Sequence, residues 1–398
     1  MKKLFSTTQS FTTFEDQSVN FVELFFDLVF VFSVTQIVGI LHHGFSWESV
    51  GQSTLIFWLV WWAWTQFTWA LNGADTTHSL IKLATLAATA ITFFMAIAVP
   101  EAFGGRGLWF AAAYVLVRLI GILISQWASS HDVRRTRALR RFILISAGGF
   151  VAILLGGWLG GIAQYLLWGI TIVIDMVAST FSAQQAEEDL SMHPEHFTER
   201  HGLFVIIALG ETLIVAGSGI IGEAWTGPLL AVAMLAVGLT CALWWSYFHQ
   251  AKPALDHALG AEEGLAQGKM ATVVFSFLHF PMLLGVISFA YAIEEAIAHP
   301  SDPLSSTTLL AFALGLALFV GGMVLCQWRA KLGFRWPRTL AIGGTVATIL
   351  LLVDVAPVVT LGIAFVGLVL IAFWEQVAGN SSLSVSRIDP AIGQSQSA

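Results

Sequence analysis

Apolar positions along this chain come in long uninterrupted blocks, each closed by a short polar, Gly-rich or Pro-containing link. About 20 apolar residues, rising about 1.5 Å each as a helix, cross the roughly 30 Å hydrocarbon layer of a bilayer. Blocks of that length predict membrane-spanning helices near 20–41, 51–71, 80–99, 107–127, 138–159, 161–182, 202–221, 227–249, 269–292, 306–327, 338–354 and 357–377. Links such as Gly104-Gly105, Gly160-Gly161 and Ala356-Pro357 separate blocks that would otherwise read as overlong helices. The fold class expected is all-α: a polytopic membrane helix bundle of about twelve transmembrane helices, with no soluble domain between them.

Composition agrees with the block pattern. Of 398 residues 57% are hydrophobic and only 11% charged, with a mean hydropathy of +0.78, against about 25% charged in soluble domains. A net charge of -7 without a basic stripe excludes nucleic acid as a partner. The two cysteines, Cys241 and Cys326, lie in apolar runs and give neither a disulfide framework nor a thiolate metal site. No apolar segment precedes residue 21, so the first span also directs insertion and no cleaved signal is expected. The Ser- and Gln-rich stretch 379–398 reads as a mobile tail.

Basic residues are retained on the cytoplasmic side during insertion, so their placement reports orientation. Of the 18 Lys and Arg, Arg118 lies inside a span and Arg106 in an odd-numbered link, and the other sixteen fall in the amino terminus, the even-numbered links or the tail. Both termini are therefore expected in the cytoplasm.

The chain also repeats itself. DLVFV from Asp27 pairs with ETLIV from Glu211, VWWAW from Val60 with LWWSY from Leu243, and KLAT from Lys82 with KMAT from Lys269. GILISQW from Gly121 pairs with GMVLCQW from Gly322, and GGFVAILL from Gly148 with GGTVATIL from Gly343, all in the same order. Ordered recurrence predicts two six-helix halves, 20–182 and 201–378, in parallel orientation because six is even. A cytoplasmic segment 1–19, a cytoplasmic linker 183–200 and the tail complete the organisation.

Ionisable groups inside the spans are the candidates for chemistry, because an Arg or Asp at a helix centre costs roughly 2.5 to 3.5 kcal/mol unless partnered. Asp27, Glu211, Arg118, Asp175 and His279 stand at similar depth on the cytoplasmic side of the midplane, which predicts one polar cluster. Glu23 joins Asp27 on one helix stripe by its spacing of four. The simplest arrangement pairs Arg118 with Asp27 or Glu211 and leaves another acid protonated or holding a cation. A permanent clamp joining the first, fourth and seventh helices is the structural alternative.

Polarity also gathers before the seventh span, in His193, His196, Glu199, Arg200 and His201. His196 and Glu199 share a helix face and resemble, in reversed order, the Glu-x-x-His pairs of carboxylate-bridged metal bundles. With no second pair the reading is an interfacial cap or hydrogen-bond network, and no metal or cofactor is expected. Arg200 is expected at the headgroup level, snorkelling to phosphate. The Trp-rich second span lines a substrate path or simply packs. His279-Phe-Pro281 marks a break in the ninth span, since Pro leaves a carbonyl unpaired. His42-His43, Asp75 and His78 read as solvated link residues. Phosphate-cradling, zinc-protease and hydrolase motifs are absent.

Two long motifs carry a family resemblance: Phe21-Val-Glu-Leu-Phe-Phe-Asp-Leu-Val-Phe30 and His196-Phe-Thr-Glu-Arg-His-Gly-Leu-Phe-Val-Ile-Ile-Ala-Leu-Gly-Glu211. With Ala98-Val-Pro-Glu-Ala-Phe103 and His279-Phe-Pro281, they resemble the bacterial low-temperature-requirement A family over about residues 20 to 377. The resemblance implies a multi-pass protein of the bacterial inner membrane, and no molecular activity comes with it. Phe25-Phe26-Asp27 is more loosely similar to the Phe-Ser-Asp that opens the first helix of potassium channels built from six-helix units, but Phe26 lacks the hydroxyl of that Ser.

Three classes of function fit these residues. A secondary transporter or proton-coupled permease for a small solute or ion follows from the repeat and the matched titratable acids. A cation channel of duplicated six-helix units is the first alternative. A membrane-embedded enzyme acting on lipid or a lipid-linked group, with His196 and Glu199 moving protons, is the second.

Overall fold

The computed structural model describes residues 18–42, 46–130, 133–185 and 192–388. The expected N-terminal segment up to residue 17 and the tail from 389 lie outside the described residues. Helices α1 (Phe21–His42), α2 (Trp47–Asn72), α3 (Ser79–Ala98), α4 (Gly107–Ala128), α5 (Val133–Leu159) and α6 (Gly161–Gln185) are followed by α7 (Pro194–Ile220). Then come α8 (Gly227–Gly260), α9 (Gly264–Ala298), α10 (Ser306–Arg329), α11 (Trp336–Leu351) and α12 (Pro357–Ile388). No strand occurs among the described residues, and the protein is an all-α polytopic membrane bundle.

Helix starts follow capping chemistry, since the first N–H groups of a helix have no intrahelical acceptor. Ser46 and Ser49 form a capping box at α2, Thr226 caps α8 ahead of Pro228, and Ser305 caps α10. Ten of the helices are long and apolar enough to cross a membrane. The other two are α11, with 16 residues, and the Trp-rich α2. The outside is oily, with Phe94, Leu144, Met234 and Phe373 exposed, while Glu23, Asp27, Arg118, Asp175 and Arg200 are buried. That inversion of the soluble pattern is what a lipid solvent selects.

Helix bounds differ from the hydropathy reading where polar residues lie inside helices. The segment 194–200, assigned above to a linker, forms the first turns of α7 behind a Pro at its N1/N2 position. Helix α12 runs on to Ile388, through part of the expected tail. Both α8 and α9 contain a π-helical stretch, Ser246–Ala251 and Ala271–Phe277. The second ends next to His279, so the break expected at His279-Phe-Pro281 is present.

Helix α1 packs on α2, α3 and α7, and α7 packs also on α8 and α9. Helices α9 and α10 touch backbone to backbone: a Cβ on Gly285 would lie 2.6 Å from the Gly315 carbonyl oxygen, and one on Gly315 2.8 Å from Phe289 N. Small residues allow such approach in membranes, where packing replaces the hydrophobic effect between helices. Gly285→Leu or Gly315→Leu is expected to destabilise the protein by about 1 to 3 kcal/mol through overpacking. Thermal unfolding in detergent checks this, with Gly343→Ala, whose Cβ would meet nothing within 4 Å, as the unchanged control.

Candidate functional site

The two acids of α1 face two bases of α7. Glu23 and Asp27 are four residues apart, and so are His196 and Arg200; all four side chains are inaccessible to solvent. His196 Nε2 lies 3.0 Å from Glu23 Oε2, and the Arg200 guanidinium grips Asp27 through Nη2 to Oδ1 and Nε to Oδ2. Both contacts span 173 residues. Equal separation on successive rungs means that α1 and α7 run parallel and in register here. Arg200 Nη1 also reaches Glu23 Oε2 at 3.5 Å, which ties the rungs together.

Helix α2 completes the site. Trp64 Nε1 donates to Asp27 Oδ1 at 2.7 Å. Asn72 Nδ2 donates to the His193 carbonyl at 2.8 Å while His193 N donates to Asn72 Oδ1 at 3.1 Å, which fixes the orientation of the amide. The same Asn72 NH₂ faces His196 Nδ1 at 3.4 Å, so Nδ1 accepts, and the ring proton sits on Nε2, towards Glu23. A neutral His196 leaves two carboxylates against one guanidinium. The ladder therefore carries one surplus negative charge in a site closed to water unless it takes up a proton or a cation.

The sequence expectation for Arg200 is overturned: it is fully buried and salt-bridged, because α7 begins two turns earlier than hydropathy indicates. Glu199 is exposed and accepts from Val19 N at 3.4 Å, so it shares no contact with His196 beyond the helix. Arg118 is a second correction. Its partner is Asp175, held by a two-pronged contact at 2.8 and 3.0 Å, and Tyr114 OH donates to the same carboxylate at 2.8 Å. This clamp joins α4 to α6 and involves neither Asp27 nor Glu211. Its guanidinium is covered by the rings of Tyr114, Phe142 and Phe150.

The remaining expected members stand apart as well, so the single cluster resolves into separate groups. Glu211 is buried beside Thr35 of α1 and forms no ion pair among the described residues. His279 receives a hydrogen bond from Tyr247 OH at 2.9 Å and donates through Nδ1 to the Val274 carbonyl at 2.8 Å, a carbonyl inside the π-helical stretch. His201 lies between this group and the ladder, its ring 5.7 Å from that of His279 and 4.9 Å from that of Trp64. Its Nε2 is buried without a hydrogen bond. His42 and His78 are not solvated link residues: His42 contacts Glu294 and Glu295, and His78 caps α3. Among the described residues no three His, Cys, Asp or Glu side chains form a group able to hold a metal ion.

Sequence reasoning passed over Asn72, Tyr114 and Tyr247, and took Trp64 only as one of the second-span tryptophans that line a path or pack. It also passed over Arg338, counted with the link bases but buried in a two-pronged contact with Glu375 at 2.8 and 2.6 Å. The acids on α1 and the bases on α7 each have a visible spacing of four, but nothing one-dimensional says that the two stripes meet.

Arg200→Met strands two carboxylates and is expected to cost about 3 to 5 kcal/mol. Adding Asp27→Asn restores part of that loss, whereas adding Asp175→Asn restores none, because the two ion-pair groups share no contact. Arg118→Met reverses the assignment of rescues. Unfolding midpoints of the single and double variants in detergent check both halves of this prediction.

Comparison with known proteins adds the family. The description "Bacterial low temperature requirement A protein (LtrA)" matches residues 18–373. An uncharacterized protein of Rhizobium meliloti (strain 1021) is 29% identical over 379 residues, covering 92% of this chain and 90% of its own. No solved structure matches the chain. Ladder residues from both sequence motifs thus fall within the matched region, and the chain belongs to the bacterial low temperature requirement A family.

Proposed function

We propose that this protein is a secondary transporter in which a proton exchanged at the α1–α7 ladder is coupled to the passage of a small solute or ion. The observation that carries this reading is the make-up of the ladder: two carboxylates against one guanidinium and one histidine, all sealed from water. Such a site is electrically balanced only with one added proton or cation, and ionisable groups of that kind inside a membrane mark ion pathways and proton relays. Glu211, buried without a base, supplies a second carboxyl that needs neutralising.

The helix neighbours support the six-plus-six division. Packing of α1 on α2 and α3 recurs in α7 on α8 and α9, and contacts of α3 with α4, α4 with α5 and α5 with α6 recur six helices later. The parallel run of α1 and α7, the first helix of each half, agrees with halves of like orientation. Rocking of one half on the other then opens the seam that these two helices form. In this reading the arginine-rich links face the cytoplasm of a bacterial inner membrane.

The test uses purified protein in proteoliposomes, with proton movement read by a pH-sensitive dye as small cations, amino acids and carboxylates are added in turn. Glu23→Gln and Asp27→Asn each leave one carboxylate for one guanidinium, a ladder balanced without a proton. Both variants are expected to stay folded and lose solute-driven proton movement, and Glu211→Gln to reduce it. Undiminished proton movement in all three would overturn the proposal.

A further inference from the structure

A second titratable contact joins α1 to α9, at the opposite end of α1 from the ladder. His42, the last residue of α1, has Nε2 2.6 Å from Glu294 Oε2 and Nδ1 3.2 Å from Glu295 Oε1. A carboxylate at each ring nitrogen is satisfied on both sides only if both nitrogens carry hydrogen, that is, by an imidazolium. Loss of one proton turns one of these contacts into a lone pair facing an anion. Unlike the ladder, the group is reachable by water: the side chains of His42, Glu294 and Glu295 are 20%, 39% and 32% exposed.

The other charged groups at this end are engaged elsewhere or exposed. Glu48 of α2 is engaged with Gln52 and Tyr165, Glu101 beyond α3 pairs with Arg106, and Glu223 beyond α7, His299 and Asp302 beyond α9 and Asp354 beyond α11 are exposed. The Tyr291 ring of α9 lies 4.9 Å from the imidazole and bonds Thr308. The contact crosses between the proposed halves, since α1 belongs to the first and α9 to the second. It also lies on the membrane face away from the arginine-rich links.

We propose that His42, Glu294 and Glu295 form a proton-binding site on that outer face, which latches the two halves together when occupied and releases them when empty. Its role in transport rests on the reading above: the latch is where an incoming proton closes the outer end of the seam, while the ladder at the other end of α1 exchanges its own. The two sites share a helix and no residues, so each can be altered alone.

The latch itself is tested without any solute. Nitroxide labels at Gln36→Cys and Ala298→Cys, in a Cys241→Ser background of the full chain in lipid nanodiscs, report the α1–α9 separation by pulsed electron resonance. Between about pH 5 and about pH 8, the range over which histidine ordinarily changes charge, the main distance is expected to move to longer values and broaden. His42→Gln is expected to give the longer distance at both pH values, and the double variant Glu294→Gln/Glu295→Gln to remove the pH dependence while His42 remains. A wild-type distance that does not move, or a shift that persists in His42→Gln, overturns the latch. Neither result bears on proton movement in the Glu23→Gln or Asp27→Asn variants, so failure of this site and failure of the transporter reading are separately visible.

Discussion

Everything polar in this protein answers to one constraint: a charge in hydrocarbon has to be matched by a nearby opposite charge or removed by protonation. The three buried arginines among the described residues all comply. Arg118 is matched by Asp175, Arg200 by Asp27, and Arg338 by Glu375. What remains is a surplus of acid, in Glu23 beside the Arg200 pair and in Glu211 beside Thr35. The arginine pairs can be permanent, because they are complete. Glu23 has only a histidine and the far edge of a shared guanidinium beside it, and Glu211 has no base, and that incompleteness distinguishes a site of exchange from a structural clamp.

Much of the fold is legible in the sequence because hydropathy acts on whole blocks of some 20 residues, which tolerate errors of a few positions at each end. The site depends on those same few positions and so was read less well. Arg200 was assigned to the headgroups because the apolar run begins at residue 202. Yet Pro194, a residue favoured in the first turn of a helix, was the local sign that α7 begins earlier. The pairing of Arg118 with Asp175 had a weaker sign in Tyr114, one turn away, whose hydroxyl bridges to the same carboxylate. Partner choice between distant helices is set by packing geometry, which leaves no periodicity to read.

Helix α2 links the ladder to the His279 region. Three of its indoles reach outward: Trp64 to Asp27, Trp61 to the Ser276 carbonyl at 2.7 Å and Trp69 to the Ser276 hydroxyl at 3.1 Å. Ser276 belongs to the π-helical stretch of α9, where wider hydrogen-bond spacing frees carbonyls for such partners. The Trp content of α2 is therefore what ties α1 to α9. An indole suits that task, since it is apolar over most of its surface and carries one directed donor.

The distribution of charge types carries the argument one step further. On the proposed division, the Arg118–Asp175 clamp lies within the first half and the Arg338–Glu375 clamp within the second, and both use arginine, whose charge does not change under physiological conditions. The ion-pair groups that cross between the halves add titratable members to the Arg200–Asp27 pair. The ladder includes His196 and a carboxylate without its own base, and the outer contact is built on His42. A chain that needed only to hold its halves together could close the seam with complete arginine pairs alone, as it does inside each half. The arginine clamps within the halves are complete, whereas the ion-pair groups at the seam contain a histidine or an acid without its own base, so a proton can rebalance the seam without disturbing those clamps. That is the arrangement required if protons are to move two rigid bodies against each other without loosening either.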